Sequence, residues 1–278
     1  LLSKYVAGVR PWWSRARPTL HYMMQTEAHV YALAVAASVL LSFYPFVTVM
    51  ISFCRNVLHW PAAIEAIYLA LNDYFPGGLG DFIRRNPPKH AVVQWTSLVL
   101  LLFTANGVFE PLEVALNRAW GVARNRSYVK NQVVALGMIF VCGGLALLSL
   151  MLTGLNSKWL SDWTGSHTTL AQWLNLLLFK IAAVPLSILA LFLVYWVLPN
   201  RKIDPGRVAP VALVVGVILE LLKYVNLLVW PPLANKLDRE YNIFKHSVTI
   251  LLWSFVASLV VLAGAEWTAR HDKADPLS

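Results

Sequence analysis

The sequence predicts an all-α, polytopic membrane protein with six transmembrane helices, an amphipathic helix on the outer surface and an interfacial N-terminal helix. Three observations carry this prediction. Only 13% of the residues are charged, about half the roughly 25% of soluble domains. Six apolar runs are long enough to span a bilayer, at 30–54, 92–108, 133–155, 170–198, 208–230 and 248–267. The runs are spread along the whole chain, so residues 1–278 read as a single integral membrane domain with no separate soluble one.

Residues 1–29 form the N-terminal interfacial segment. Its stretch "RPWWSRARPTLHYMMQTEAH" mixes tryptophans with arginines, as in helices lying among headgroups. It reads as a juxtamembrane anchor, with direct headgroup sensing as the alternative. Val30 to Cys54 is too long for a signal-peptide core and lacks a small-residue cleavage site, so it is expected to be an uncleaved first span. Beyond it, Ile64, Ile67, Tyr68, Leu71 and Phe75 recur at helical spacing until "PGGLG" breaks the pattern. That is a surface helix or a lid over the bundle mouth, since amphipathicity alone says only that one face is buried.

The second run ends in "FTANGVFEP", where small and polar residues leave a full crossing or a re-entrant segment as alternatives. The stretch "FEPLEVALNRAWGVARNRSYVK" then sets Glu110 and Glu113 among basic residues, around an apolar stripe of Leu112, Leu116 and Trp120. It can lie in the interface with its basic tail on anionic lipid. Glu113 and Arg118 are candidate gating or interfacial residues here. The basic residues come with no nucleic-acid-binding module, so no nucleic acid partner is expected. Glu266, at the inner end of the last span, is an interfacial cap or a gate partner for Arg118 or another basic residue.

Orientation follows from alternate loops. With the N-terminus inside, thirteen Lys and Arg lie on the inner segments and eight on the outer ones, the latter diluted by Glu65, Asp73, Asp81, Asp162, Asp238 and Glu240. Both termini are expected to be cytoplasmic.

The fifth run holds the most informative residues, in "GVILELLKYVNLLVW". A charge in hydrocarbon costs roughly 2.5–3.5 kcal/mol even on the lenient insertion scale, so Glu220 and Lys223 need a reason. On a helix, Ala209, Ala212, Gly216, Glu220, Lys223 and Asn226 share one stripe, which is expected to face the bundle. The fourth run offers Lys180, Ala183, Ser187 and Ala190, with Pro185 beside them. Lys180 and Glu220 fall near one depth, so a contact between them is expected, with Lys223 competing as the local partner. Two readings stay open: a buried salt bridge that fixes helix register, or a polar, net-basic cavity for an anionic guest. Pro45 bends the first span and opens room nearby. Candidate substrate-binding residues are therefore Lys180, Glu220, Lys223, Asn226 and Pro45.

Metal, cofactor and catalytic signatures are absent from the sequence. The seven histidines are scattered over termini and loops without an i,i+4 pair, and Cys54 and Cys142 have no ligand-spaced neighbours. No enzymatic activity, cofactor or metal is expected. The Ala212 to Gly216 small-residue pair could serve packing within the chain or in a homo-oligomer.

Four stretches carry a family resemblance: "ASVLLSFYPFVTVM", "PLEVALNRAWGVARNRSYVKNQVVALG", "VYWVLPNRKIDPGRVAPVALVVGVILELLKYV" and "LLWSFVASLVVLAGAEWTAR". In this order, over nearly the whole chain, they resemble the YihY/BrkB family of bacterial inner-membrane proteins. The resemblance implies six helical spans, a cytoplasmic-membrane location and, from some members, links to serum resistance (hence virulence) and to export of lipid-like envelope molecules. The family once carried a ribonuclease BN label, but nothing in this chain resembles a nuclease site. One departure stands out: Tyr241 is followed by Asn242 where the family usually has glycine, which puts a tight turn in question. The expected function is transport or export of an anionic or lipid-like envelope substrate, with membrane lipids, mainly anionic, as partners. The alternative is a membrane scaffold that docks an envelope protein through residues 60–89.

Overall fold

A computed structural model of the chain describes residues 12–75, 79–86, 91–122, 126–164 and 184–274. Every regular element among them is helical: α1 Trp12–Met23, α2 Thr26–Asn56, α3 Pro61–Tyr74, α4 Leu79–Arg85, α5 Ala91–Ala119, α6 Tyr128–Thr164, α7 Val184–Val197, α8 Pro205–Glu240 and α9 Lys245–Ala274. Four stretches within these helices are long and apolar enough to cross a membrane: Glu27–Asn56 in α2, Val129–Ser149 in α6, Pro205–Glu240 and Lys245–Arg270 in α9. Helices suit such a setting because they satisfy their own backbone hydrogen bonds where water is absent.

α2 is the central element, packed along α5 and α9. Its buried residues Ala28, Ala32, Val35, Ala36, Val47, Met50, Ile51 and Cys54 mostly follow one another three or four apart, the spacing of a helix face. α6 and α8 are less enclosed and turn apolar side chains outward, with Leu228 80% exposed. Such outward apolar faces match hydrocarbon as solvent. The fifth run keeps its inward stripe with one change: Ala212, Gly216 and Asn226 are buried, but Ala209 is exposed and Val208 takes the inward place.

Two close approaches lock α7, α8 and α9 together. A Cβ on Gly216 would lie 2.7 Å from Ile188 Cγ1 of α7. One on Gly264 would lie 2.5 Å from Val215 Cγ2 of α8 and 2.7 Å from Oη of Tyr195, whose hydroxyl donates to the Val261 carbonyl at 2.7 Å. Gly216 thus serves packing within the chain, and α7 meets it with Ile188 and Leu191 while Ser187 is exposed.

At one end of the bundle, here the basal end, Arg118 of α5 pairs with Glu27 of α2 at 2.7 Å, and Thr19 of α1 donates to Glu266 of α9 at 3.1 Å. The opposite end is closed by α3 and α4. The expected stripe is there, with Ile67, Tyr68 and Leu71 buried against Ile51 and Cys54 of α2 and Ile83 of α4. Gly80 allows the α3–α4 contact, since a Cβ there would sit 2.4 Å from the Tyr68 carbonyl oxygen. Cys54 and Cys142 are free thiols.

Several helix ends run past the expected boundaries, α6 to Thr164 and α9 to Ala274 among them. α5 runs past the expected end at Val108 to Ala119, and α8 runs past Trp230 through Pro231 and Pro232 to Glu240. Each proline removes a backbone donor and frees a carbonyl one turn earlier, here those of Leu227 and Leu228, on exposed residues. Asn242 keeps the turn that glycine would permit, with φ of 43° as the chain passes from α8 into α9.

Two outcomes follow for thermal unfolding of the purified protein. Asn242→Val, which places a branched side chain at positive φ, is expected to cost about 1–2 kcal/mol, whereas Asn242→Gly should leave the melting temperature unchanged or higher. Gly264→Ala is expected to cost about 1–3 kcal/mol through overpacking. Gly137→Ala, where a Cβ meets nothing within 4 Å, should gain roughly 0.5–1 kcal/mol.

Candidate functional site

The first charged centre lies on α8. Lys223 Nζ contacts Glu220 Oε1 directly, one turn away on the same helix. The Lys223 side chain is only 8% exposed and its ammonium lies 5.3 Å from the centre of the Tyr224 ring. Asn226 continues the stripe and is buried. Lys180, the other expected partner of Glu220, lies outside the described residues, so only the local pairing with Lys223 is seen. Pro45 is buried in α2, which packs mainly on α5 and α9. Its neighbours Ser42 and Phe46 wall an apolar cleft of about 200 Å³ that also touches Val108, Ile139 and Cys142. The room beside Pro45 is therefore apolar.

The second centre lies at the basal end, where the α7–α8 turn meets α5 and the start of α6. Leu112, Leu116 and Trp120, expected as an interfacial stripe, are core residues, and their burial carries Glu113 and Asn117 inward. Asn117 Nδ2 donates to Glu113 Oε1 at 3.4 Å, and Asn117 Oδ1 accepts from the Asn200 backbone N–H at 2.7 Å. Arg126 donates to the carbonyls of Val197, Leu198 and Pro199 at 2.9, 2.8 and 3.2 Å. It also lies 3.8 Å from Glu113, whose side chain is 3% exposed. Glu113 Oε2 has no hydrogen-bond partner among the described residues. Glu113 lies beyond the run at 92–108, and burial raises its carboxyl above the usual value, against the downward pull of Arg126 and Asn117.

Beside this node is a cleft of about 610 Å³, lined by Arg126, Trp196, Pro199, Arg201, Lys202 and Pro205 among others. The Arg201 guanidinium lies 6.0 Å from the centre of the Trp120 ring. The remaining gating candidates are separated: Arg118 pairs with Glu27, and Glu266 pairs with Arg270 and Thr19. Glu266 therefore meets the basic Arg270 on its own helix and not Arg118, whose partner is Glu27. Among the described residues, no three His, Cys, Asp or Glu side chains gather as they would around a metal ion.

A family model described as Virulence factor BrkB matches residues 19–276. The chain belongs to the BrkB family. A UPF0761 membrane protein of Chromobacterium violaceum is 31% identical over 175 residues, covering 62% of this chain and 40% of the relative. Another, of Acinetobacter baylyi, is 24% identical over 277 residues, covering 96% of this chain and 64% of the relative. A third, of Vibrio campbellii, is 25% identical over 264 residues, covering 90% and 79%. The chain thus spans less than two thirds of the length of the first two relatives. No solved structure matches the chain. This is a membrane protein of the BrkB family, and the residues of the basal node fall inside the matched region.

Sequence reasoning missed Asn117, Arg126 as a hydrogen-bond donor, and Tyr195. Asn117 had a signal, since it follows Glu113 by four residues on the same helix face.

The raised Glu113 carboxyl fixes the direction of a pH effect. A group held more protonated in the folded state contributes stability that is present below its unfolded pKa and is lost as pH rises through the folded one. Glu113→Gln should therefore match the wild type in acid and melt at or above it at neutral pH. Arg126→Met, which strips Glu113 of its cation and three carbonyls of their donor, is expected to cost about 3–5 kcal/mol at neutral pH.

Proposed function

We propose that this BrkB-family chain is a six-span protein of the bacterial inner membrane, with both termini cytoplasmic, that binds and moves an anionic, lipid-like envelope molecule. The observation that carries the reading is the Glu220–Lys223 pair, with the Lys223 side chain 8% and the Glu220 side chain 25% exposed, on a helix long and apolar enough to span. Ionisable residues at such depth mark substrate or proton pathways by default. The close contacts at Gly216 and Gly264 hold α7, α8 and α9 sterically, which favours a role for the pair beyond helix register.

In this reading Lys223, with Lys180 from the preceding span, attracts the headgroup, and Glu220 orients the lysines or carries a proton. Asn226 supplies a further polar group one turn on. The cytoplasmic assignment of the basal end rests on its excess of Lys and Arg. Movement would be facilitated, ion-coupled or driven by a partner, and no bond-making step is part of it. Homo-oligomers are compatible with the outward faces of α6 and α8.

A scaffold is the second reading, favoured by the α3–α4 cap, where Arg84 and Glu65 pair on the exposed surface at 3.0 Å. Such a cap could dock an envelope protein.

Native mass spectrometry of the purified chain separates the two. A transporter should retain a defined anionic lipid, and Glu220→Gln and Lys223→Met should each reduce that retention about tenfold, a loss of about 1.4 kcal/mol, as should the double variant Glu220→Gln/Lys223→Met, which leaves no unpaired charge and should change the melting temperature least. No selected lipid, together with lower melting temperatures in both single variants, would favour the scaffold.

A further inference from the structure

The basal cleft has a chemistry that the α8 pair does not explain. Arg201 and Lys202 are consecutive and exposed on its wall, and Arg126 lines it from the α6 side. Arg126 is anchored by the three carbonyls it serves, so its charge is fixed in place at the cleft. Arg201 lies over the face of Trp120, a core residue, which limits the directions its guanidinium can take. Glu113 offsets part of the Arg126 charge at 3.8 Å, and Asp204 lies at the start of α8, its Oδ2 3.0 Å from where a Gly206 Cβ would be. Among the described residues neither carboxylate lines the cleft, and three cations do.

We infer that this cleft binds the phosphate of an anionic phospholipid headgroup, presented from the bilayer surface. Guanidinium and ammonium groups side by side suit phosphate, the first through a planar fork of donors and the second as a point charge. The source is a lipid because of where the cleft lies. Its wall includes Trp196, which is 42% exposed, and Val197, the last residue of apolar α7. An exposed tryptophan where an apolar helix gives way to a basic turn marks the headgroup level of a membrane. A volume of about 610 Å³ accommodates a headgroup without displacing the buried node. The inference rests on the reading that the chain handles an anionic lipid and names the chemistry of its recognition at the basal surface.

The test uses the full chain in nanodiscs of mixed phosphatidylglycerol and phosphatidylcholine, with bound lipid read by native mass spectrometry. Wild type should prefer phosphatidylglycerol, and the double variant Arg201→Gln/Lys202→Gln should lower that preference about tenfold or more, as expected for losing charge-assisted hydrogen bonds. Arg84→Gln removes a cation at the opposite end and should leave the preference unchanged. An equal fall in Arg84→Gln would reveal general charge attraction and overturn the site. A fall with Lys223→Met but not with the double variant would also overturn it while leaving the transport reading intact. Displacement of the lipid by inorganic phosphate at lower concentration than phosphatidylglycerol requires would overturn the lipid assignment in favour of a soluble anion. Absence of any preference in wild type would overturn both readings together.

Discussion

Three carbonyl oxygens in succession, those of Val197, Leu198 and Pro199, take hydrogen bonds from the single guanidinium of Arg126. The last carbonyls of a helix have no partners within it, and near a bilayer an unmet carbonyl is costly. A cation also suits the negative end of the helix dipole. The bonds come from two nitrogens, Nη1 to Leu198 and Nη2 to Val197 and Pro199, a spread that suits the rigid guanidinium fork better than the single nitrogen of lysine. Asn117 adds the Asn200 N–H, and together they bind α5, the start of α6 and the α7–α8 turn into one unit. The position of the basal cleft depends on this corner.

The two charged centres solve the problem of burial differently. Arg126 is supported mainly by neutral backbone acceptors, with Glu113 at 3.8 Å offsetting part of its charge. Glu220 and Lys223 meet each other, which lowers the cost of each in the apolar helix. A pair within one helix survives sliding of that helix against its neighbours, whereas the contacts of Gly216 and Gly264 do not. Steric contacts at Gly216 and Gly264 define how α7, α8 and α9 pack, while the Glu220–Lys223 ion pair lies within α8.

Much of this was legible in the sequence because helical periodicity is local. The stripe on α3, the Glu220–Lys223 spacing and the apolar face of Leu112, Leu116 and Trp120 all follow from residues three or four apart. Contacts across distant segments were not legible. Nothing near Tyr195 announces that its hydroxyl will reach Val261, or that Gly264 must be small to admit it. Arg126 read as one basic residue among several because its acceptors are carbonyls, which every residue has. Pro231 and Pro232 misled for a different reason: proline ends helices by removing donors, but exposed carbonyls one turn earlier can find other partners. Asn242 shows the reverse, a substitution for glycine that keeps the left-handed geometry because asparagine tolerates it better than most side chains.

The ends of the molecule are held by different forces, and this bears on how each responds to its surroundings. The end closed by α3 and α4 rests on apolar packing around Ile51, Cys54, Ile67 and Ile83, with its Arg84–Glu65 pair on the exposed surface. Exposed pairs contribute about 0–1 kcal/mol, so salt should disturb that end little. The basal end is held additionally by Arg126, Asn117 and the Thr19–Glu266–Arg270 chain, whose polar bonds tie α1, α5, α6, α7 and α9. Because those bonds are partly buried, screening acts on them weakly as well. Arg201 and Lys202 are exposed at this end, on the wall of the cleft. An anion bound there would meet an Arg201 held over Trp120 and leave the buried node in place.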